Sequence, residues 1–519
     1  MNIWVSNTPL RSAFLALCLP VLLCAPVFIY VCVLYQYPFG IHLIVKHESV
    51  KGHQQKQDLL SAIRPNDNAG CEGGIDNLLH PQTGLKPLDS GSFLGELKEK
   101  ERCTKDRALV KVFMYEMPSE FHFGMIDPLS IKKGDIWPKN LSNVVRYPGG
   151  LYQQHSPEYW LTLDLLNNQE EERDEEVVSK DEQTIYLKEQ RNRSSTIEDV
   201  QTLSIPNSEE RKTCGAVRVR NPKDADVYFV PFFASLSYNK YGKMRMQAKD
   251  MELQMKLVRY LMGQRAWKRS SGTDHVIVMH HPNSLAMARE LLGMATFIVS
   301  DFGRVSPDIS HLAKDIVAPY KHMTPSLQED GSTFESRTVL LFFQGAIHRK
   351  EGGFIREKLY NILKDEKAVV FKDDVYSEGS RRSAARGMAS SKFCLHLAGD
   401  TPSSNRLFDA ISSHCIPVII SRDIELPFED TLDYSKFCLF VNYADASRRG
   451  FLIRFLNSIG KDEWTMMWKR IQEVKVHYEY QFPSQGRDAT QMVWKSLANK
   501  LPSIRQRLHK ARRYYRRPN

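Results

Sequence analysis

The sequence predicts an α/β fold in two halves that face a cleft, carried behind one apolar segment near the amino terminus. Two successive series of strand-like runs alternating with helical stretches predict the layers, and the uncharged run Ala13 to Tyr35 predicts the segment. With 519 residues, 42% of them hydrophobic and 25% charged, the chain has material for two ordinary domains. That balance excludes a wholly disordered or collagen-like polymer.

The elements follow in chain order. As a helix rising about 1.5 Å per residue, AFLALCLPVLLCAPVFIYVCVLY covers roughly the 30 Å of a bilayer core. It is too long for the apolar part of a cleaved leader and lacks a small-x-small site, so residues 13–35 read as an anchor after a short tail, 1–12. Pro20 and Pro26 weaken that helix without forbidding it. Flanking charge leaves orientation open, with Arg11 on one side and Lys46 and Lys51 on the other, while Asn-x-Ser triplets at Asn140 and Asn192 favour a luminal bulk. Residues 36–107 are poor in aromatics and rich in Gly, Gln, Asp and Lys, which suits a stem.

The first series, 108–330, has strand-like LVKVFMY, DVYFVPFF, HVIVMH and FIVSDF, with a helical stretch from Lys243 to Trp267. Within it, Asn167 to Lys212 is a polar, acid-rich insertion that reads as a disordered surface loop. The second series, 331–500, has TVLLFFQG, a helix through Ile355 to Leu363, KFCLHL, a helix from about Ser403 to Ser413, CIPVII and KFCLFV. A largely helical close from Phe451 to Leu508 leads into a basic tail, 501–519.

Charge and cysteine usage narrow the function classes. Most of the net charge of +10 sits in that tail, on Arg505, Arg507, Lys510, Arg512, Arg513, Arg516 and Arg517. A nucleic-acid binder spreads basic residues over a folded face, so the tail reads as a solvated or membrane-surface end. Outside the anchor, which holds Cys18, Cys24 and Cys32, the cysteines Cys71, Cys103, Cys214, Cys394, Cys415 and Cys438 form no C-x-x-C pair, which argues against structural zinc. Cys394 and Cys415 lie in apolar strand-like runs and read as core thiols, although an oxidising lumen leaves pairing open.

Chemistry concentrates in GDTPSSNRLFDAI, residues 399–411. With Thr401 as a cap and Pro402 in the first turn, backbone N–H groups near Ser403 and Ser404 point at whatever precedes the helix, an anion site. Arg406 and Asp409 share one face, suiting a diphosphate and a ribose; a plain surface ion pair fits the spacing equally well. Gly345 ends an apolar strand, and His348, Arg349 and Lys350 follow as cations able to face the same phosphates.

The run SKFCLHLAGDTPSSNRLFDAISSHCIPVIISRDIELPFED resembles the signature of the exostosin-like glycosyltransferases, family 47, and VFMYEMP, NPKDADVYFVPFF and DHVIVMHHP resemble its earlier blocks in the same order. GLYQQHSPEYWLTLDLL is most similar to the plant clade that includes candidate arabinan arabinosyltransferases. The resemblance implies a GT-B fold of two Rossmann-like domains, acceptor side first and donor side second, and inverting transfer from a UDP-sugar to a cell-wall polysaccharide such as pectic arabinan. It also implies no bound metal or other cofactor, and type II anchoring in the Golgi membrane. Arg406 is then expected on the diphosphate and Asp409 on the ribose. Two departures, His414 for a common Gly and no Pro before Gly399, bear on loop geometry.

Asp224 and Asp226 spell a D-x-D, but they precede a strand where metal-binding D-x-D motifs follow one, so they read as a turn. His280 and His281 lack a third ligand at suitable spacing. Inversion needs a base across the cleft, and Glu158 and Asp301 are the candidates, with Arg304 placed for an acceptor or for Asp301. Partners expected are the donor, the acceptor, the membrane and other transferases, with no nucleic acid. Alternatives are xylosyl, galactosyl or glucuronosyl transfer to hemicellulose, or a non-catalytic scaffold.

Overall fold

The computed structural model describes residues 103–513 apart from 130, 132–133, 171–213, 243–246, 329, 350–352 and 375–376. The anchor, most of the stem, the acid run of the insertion, Lys350 and the last six residues therefore lie outside the described residues. Among the described residues no helix is long and apolar enough to cross a membrane.

Two all-parallel sheets form. The first joins β1 (Ala108–Met114), β2 (Cys214–Arg218), β3 (Val227–Val230), β4 (His275–Val278), β5 (Thr296–Val299) and β6 (Ile316–Val317) in the order β2-β1-β3-β4-β5-β6. The second joins β7 (Val339–Gln344), β8 (Val369–Lys372), β9 (Ser391–Leu397), β10 (Ile416–Ile420) and β11 (Leu439–Phe440) in the order β8-β7-β9-β10-β11. The two orders match over five strands. Each sheet reverses its winding between its first and third strands, and such a reversal opens a crevice at the carboxyl ends of the strands. Strands such as VYFV and IPVII are apolar and buried throughout because a parallel sheet is covered on both faces.

Helices important here are α1 (Pro157–Asn167), α2 (Ala234–Tyr241), α3 (Gln247–Gly263), α4 (Phe354–Leu363), α5 (Arg406–Ser412) and α6 (Ala489–Arg512). The Lys243–Trp267 stretch is broken in two: it gives α3 and a separate short helix, Arg265–Ser270, because Gln264 turns extended. Strands β2, β6 and β8 escaped the pattern because they are short, or half exposed as in β8.

α6 crosses back to the first sheet. Asp488 caps it, Trp494 Nε1 donates to Asp164 Oδ2 on α1 at 2.7 Å, and Gln491 Oε1 accepts the Gly215 amide at 2.8 Å. A boundary at residue 500 thus falls inside one continuous helix, and most of the described part of the expected tail is its last turns.

The reading of Cys394 and Cys415 as thiols is overturned. They form a disulfide, because β10 runs beside β9 with Pro417 opposite Cys394, which brings Cys415 within reach. Cys103 bonds Cys214, and Cys438 is a buried thiol.

Candidate active site

The crevice of the second sheet lies where β7 and β9 end. Arg406, half-buried at the start of α5, turns its Nε to the Gln344 carbonyl at 3.1 Å, across Gly345. A Cβ at Gly345 would stand 2.9 Å from Arg406 Nη2, so a side chain there would push the guanidinium aside. Arg356 on α4 reaches in from behind and donates to the carbonyls of Ala346, Leu397 and Ala398, at 3.1, 2.9 and 3.0 Å. Arg349 stands 3.6 Å from Asp400. Burial, and then the charges of Arg406 and Arg349, press Arg356 down to about 9. Burial also lowers Arg406, and His396 on β9 is pressed to about 3 by burial and then by Arg356. A polyvalent anion would relieve the charge that Arg406 and Arg349 set against Arg356 in this partly dry crevice.

The predicted residues divide. Gly345, Arg349 and Arg406 meet here, whereas His348 is exposed, with Glu357 at 3.8 Å. The helix does not start after Thr401: Asn405 is its N-cap and Arg406 its first residue, and Pro402 belongs to the loop before it. Ser403 is buried with its carbonyl bonded by Thr401 Oγ1, and Ser404 Oγ meets His396 Nδ1 at 3.4 Å. Asp409 holds protein groups in place of an open face: its Oδ1 accepts the amides of Met323 and Thr324 at 2.5 and 3.0 Å, and its Oδ2 accepts Asn405 Nδ2 at 3.0 Å. It ties α5 to the segment linking the two sheets.

The same linking side carries Asp301. Its Oδ1 accepts the Gly303 amide at 3.0 Å, Tyr320 Oη and Ser300 Oγ approach Oδ2 at 3.4 Å, and burial raises it against these donors and Thr401. A Cβ at Gly303 would lie 2.5 Å from Pro402, so this loop touches the loop before α5. Glu158 is elsewhere. Its oxygens accept the Ser235 and Leu236 amides at the start of α2 and the Tyr147 hydroxyl, each at 2.9 Å, and burial raises it to about 7. At 1% exposed, with these three donors, it holds a helix start. Arg304 donates to Asn283 Oδ1 at 3.3 Å.

Sequence reasoning missed Arg356, whose partners are main-chain carbonyls that carry no sequence signal. It also missed His155, whose Nδ1 lies 3.0 Å from His280 Nδ1, with its ring 4.5 Å from that of His281 and 5.0 Å from that of Tyr320. His280 Nε2 bonds the Ala318 carbonyl. Among the described residues no group of three His, Cys, Asp or Glu is arranged to hold a metal ion. Asp226 accepts the Lys111 amide and Arg505, and Asp224 meets Lys105, all at the strand starts. His414 adopts φ 52°, the left-handed backbone a glycine takes without strain, and bonds Asp330 at 3.0 Å.

The Exostosin GT47 domain model matches residues 106–456. The chain is 36% identical to "Probable arabinosyltransferase ARAD1" of Arabidopsis thaliana, over 78% of this chain and 81% of that one. It is 25% identical to "Probable glucuronosyltransferase Os04g0398600" of Oryza sativa subsp. japonica over 55% and 71%, and to "Probable beta-1,4-xylosyltransferase IRX10L" of Arabidopsis thaliana over 56% and 72%. A crystal structure of Anabaena Alr3699/HepE in complex with UDP aligns over 55% of this chain and 85% of that one at 10% identity, with a TM-score of 0.29, too loose an overlay to bear on the fold. The chain belongs to the exostosin family GT47 and is a glycosyltransferase.

Proposed function

We propose that the enzyme transfers a sugar, arabinose first among the candidates, from a UDP-sugar to a plant cell-wall polysaccharide such as pectic arabinan. Transfer inverts the anomeric centre and needs no bound metal. The two sheets act as the halves of a GT-B fold, with the acceptor on the first and the donor on the second, and the chain works as a type II protein of the Golgi membrane. The observation that carries the donor site is the Arg406, Arg356 and Arg349 cluster at the β7/β9 crevice. There a diphosphate leaving group would gain charge-assisted bonds as it departs. Two disulfides among the described residues suit an oxidising compartment. The 36% identity to an arabinosyltransferase by name favours that sugar over the xylosyl and glucuronosyl names at 25%.

Arg406→Ala removes the guanidinium beside Gly345, and donor-dependent transfer is expected to fall at least a hundredfold with the thermal transition kept. Transfer at the wild-type rate would sink the donor-site assignment. A panel of UDP-pentoses, UDP-hexoses and UDP-uronic acids against the purified protein reads the sugar directly.

A further inference from the structure

The end of the first sheet opposite the crevice has features that transfer does not use. Strands of a parallel sheet all start at one end, so Ala108, Val227, Thr296 and Ile316 mark one side of the molecule. The last turns of α6 run under it. Lys500 Nζ donates to the Leu312 carbonyl at 2.6 Å, Arg505 pairs with Asp226 at 2.8 Å, and Arg507 reaches the Met294 carbonyl at 3.4 Å. Past these contacts His509, Lys510, Arg512 and Arg513 are exposed.

Apolar side chains stand beside this cationic end. Leu291, Met294 and Leu312 are 51%, 52% and 47% exposed, and Met287 43%. Residues 285–292 bond as helical turns, Arg289 to Leu285 and Leu292 to Ala288, so Met287, Leu291 and Met294 share one face. Exposed apolar residues scattered singly are ordinary; several converging beside a basic helix end make a surface suited to an interface. The chain outside the described residues also arrives here, since Cys103 is tied to Cys214 at the start of β2 and leads straight into Ala108.

We propose that this end is a second membrane contact: Leu291, Met294 and Leu312 enter the headgroup boundary of a bilayer while Lys510, Arg512 and Arg513 meet anionic headgroups. The proposal rests on residues 13–35 being a membrane anchor. The surface binds with an affinity of its own, to which the tether adds, and the charged part of it is lost at high salt. The carboxyl ends of the first sheet's strands, whose loop at Gly303 touches Pro402 before α5, then face away from the lipid.

The test uses the full chain with a specific protease sequence inserted after Gly95, reconstituted into phosphatidylcholine vesicles containing phosphatidylserine. Before cleavage the protein floats with the vesicles; failure to float overturns the anchor reading and the docking that rests on it. After complete cleavage at low salt the released part still floats and is freed by high salt. Leu291→Gln/Met294→Gln/Leu312→Gln or Arg512→Glu/Arg513→Glu lowers the floating fraction about tenfold, with transfer activity unchanged as the check on folding. Cleaved wild-type protein left in the supernatant overturns the docking, as does flotation that neither variant reduces. A cleaved protein that leaves the vesicles as a dimer assigns the face to a second copy and also overturns it.

Discussion

Arg406 and Asp409 stand one helical turn apart and serve different ends. The guanidinium faces the crevice, while the carboxylate satisfies two buried amides of the segment linking the sheets. Asp409→Asn sets an NH2 or a single weaker acceptor against those amides, and a loss of about 1–3 kcal/mol is expected from leaving a buried donor unmet. Urea unfolding checks this, and a weaker donor affinity accompanies it because α5 loses its tether. The two base candidates separate by position: both carboxylates are buried and bonded at both oxygens, but only Asp301 borders the loop before α5. Glu158→Gln is expected to destabilise by a similar amount and leave turnover per folded molecule intact, since both oxygens are committed to Tyr147, Ser235 and Leu236. Asp301→Asn, beside the loop before α5, is expected to cut kcat by about 10²–10⁴ with donor affinity kept, the range for losing a positioned base. Unchanged kcat in Asp301→Asn removes Asp301 from that role. Arg406 was legible because its motif is contiguous. Asp409's partners were not, because Met323 and Thr324 offer only their backbones and lie 85 and more positions away.

Among the elements, the strands and helices with strong apolar periodicity were readable, including β1, β7, β9, β10 and α4. Weakly patterned ones were not: β2 follows the acidic insertion, and β11 is a half-exposed edge of two residues where a longer run was expected. The start of α5 slipped because Thr-Pro-Ser is a cap signal in isolation, yet here Pro402 packs toward Gly303 and Ser404 toward His396. The buried Cys394–Cys415 bond joins β9 to the start of β10 and packs with Ala410 of α5, the helix that starts at Arg406. Replacing both cysteines by serine frees a loop with a sequence separation of 21 in the unfolded chain, and about 3 kcal/mol of stability is expected to go. Denaturant midpoints measured without reductant test it, and an unchanged midpoint would mean the bond does not form.

For the whole molecule, the two-series architecture was visible in the alternation of strands and helices, whereas the shared strand order and the return of α6 to the first sheet required coordinates, because both depend on contacts between distant segments. Acid stability is also set at this scale. Burial holds His122 at about 4 and His280 and His396 at about 3, so each stays neutral in the fold while the unfolded chain takes up protons below about 6.5. Stability from these groups is whole above about pH 6.5 and falls as pH drops toward 3. Asp164, raised to about 7 chiefly by burial, acts the other way, gaining stability as pH falls from 7 toward 4. Asp164→Asn is therefore expected to show a steeper loss of Tm between pH 7 and pH 5 than wild type; a parallel slope would contradict the raised carboxyl. The flanks of residues 171–213 bear on how the molecule tolerates change. Glu170 donates to the Arg218 carbonyl, Arg218 donates to Asn168, and Cys214 is locked to Cys103, so the segment leaves and rejoins the body at neighbouring points. A hinge-free doorway of that kind lets its cargo be shortened, lengthened or exchanged for a reporter without moving a strand.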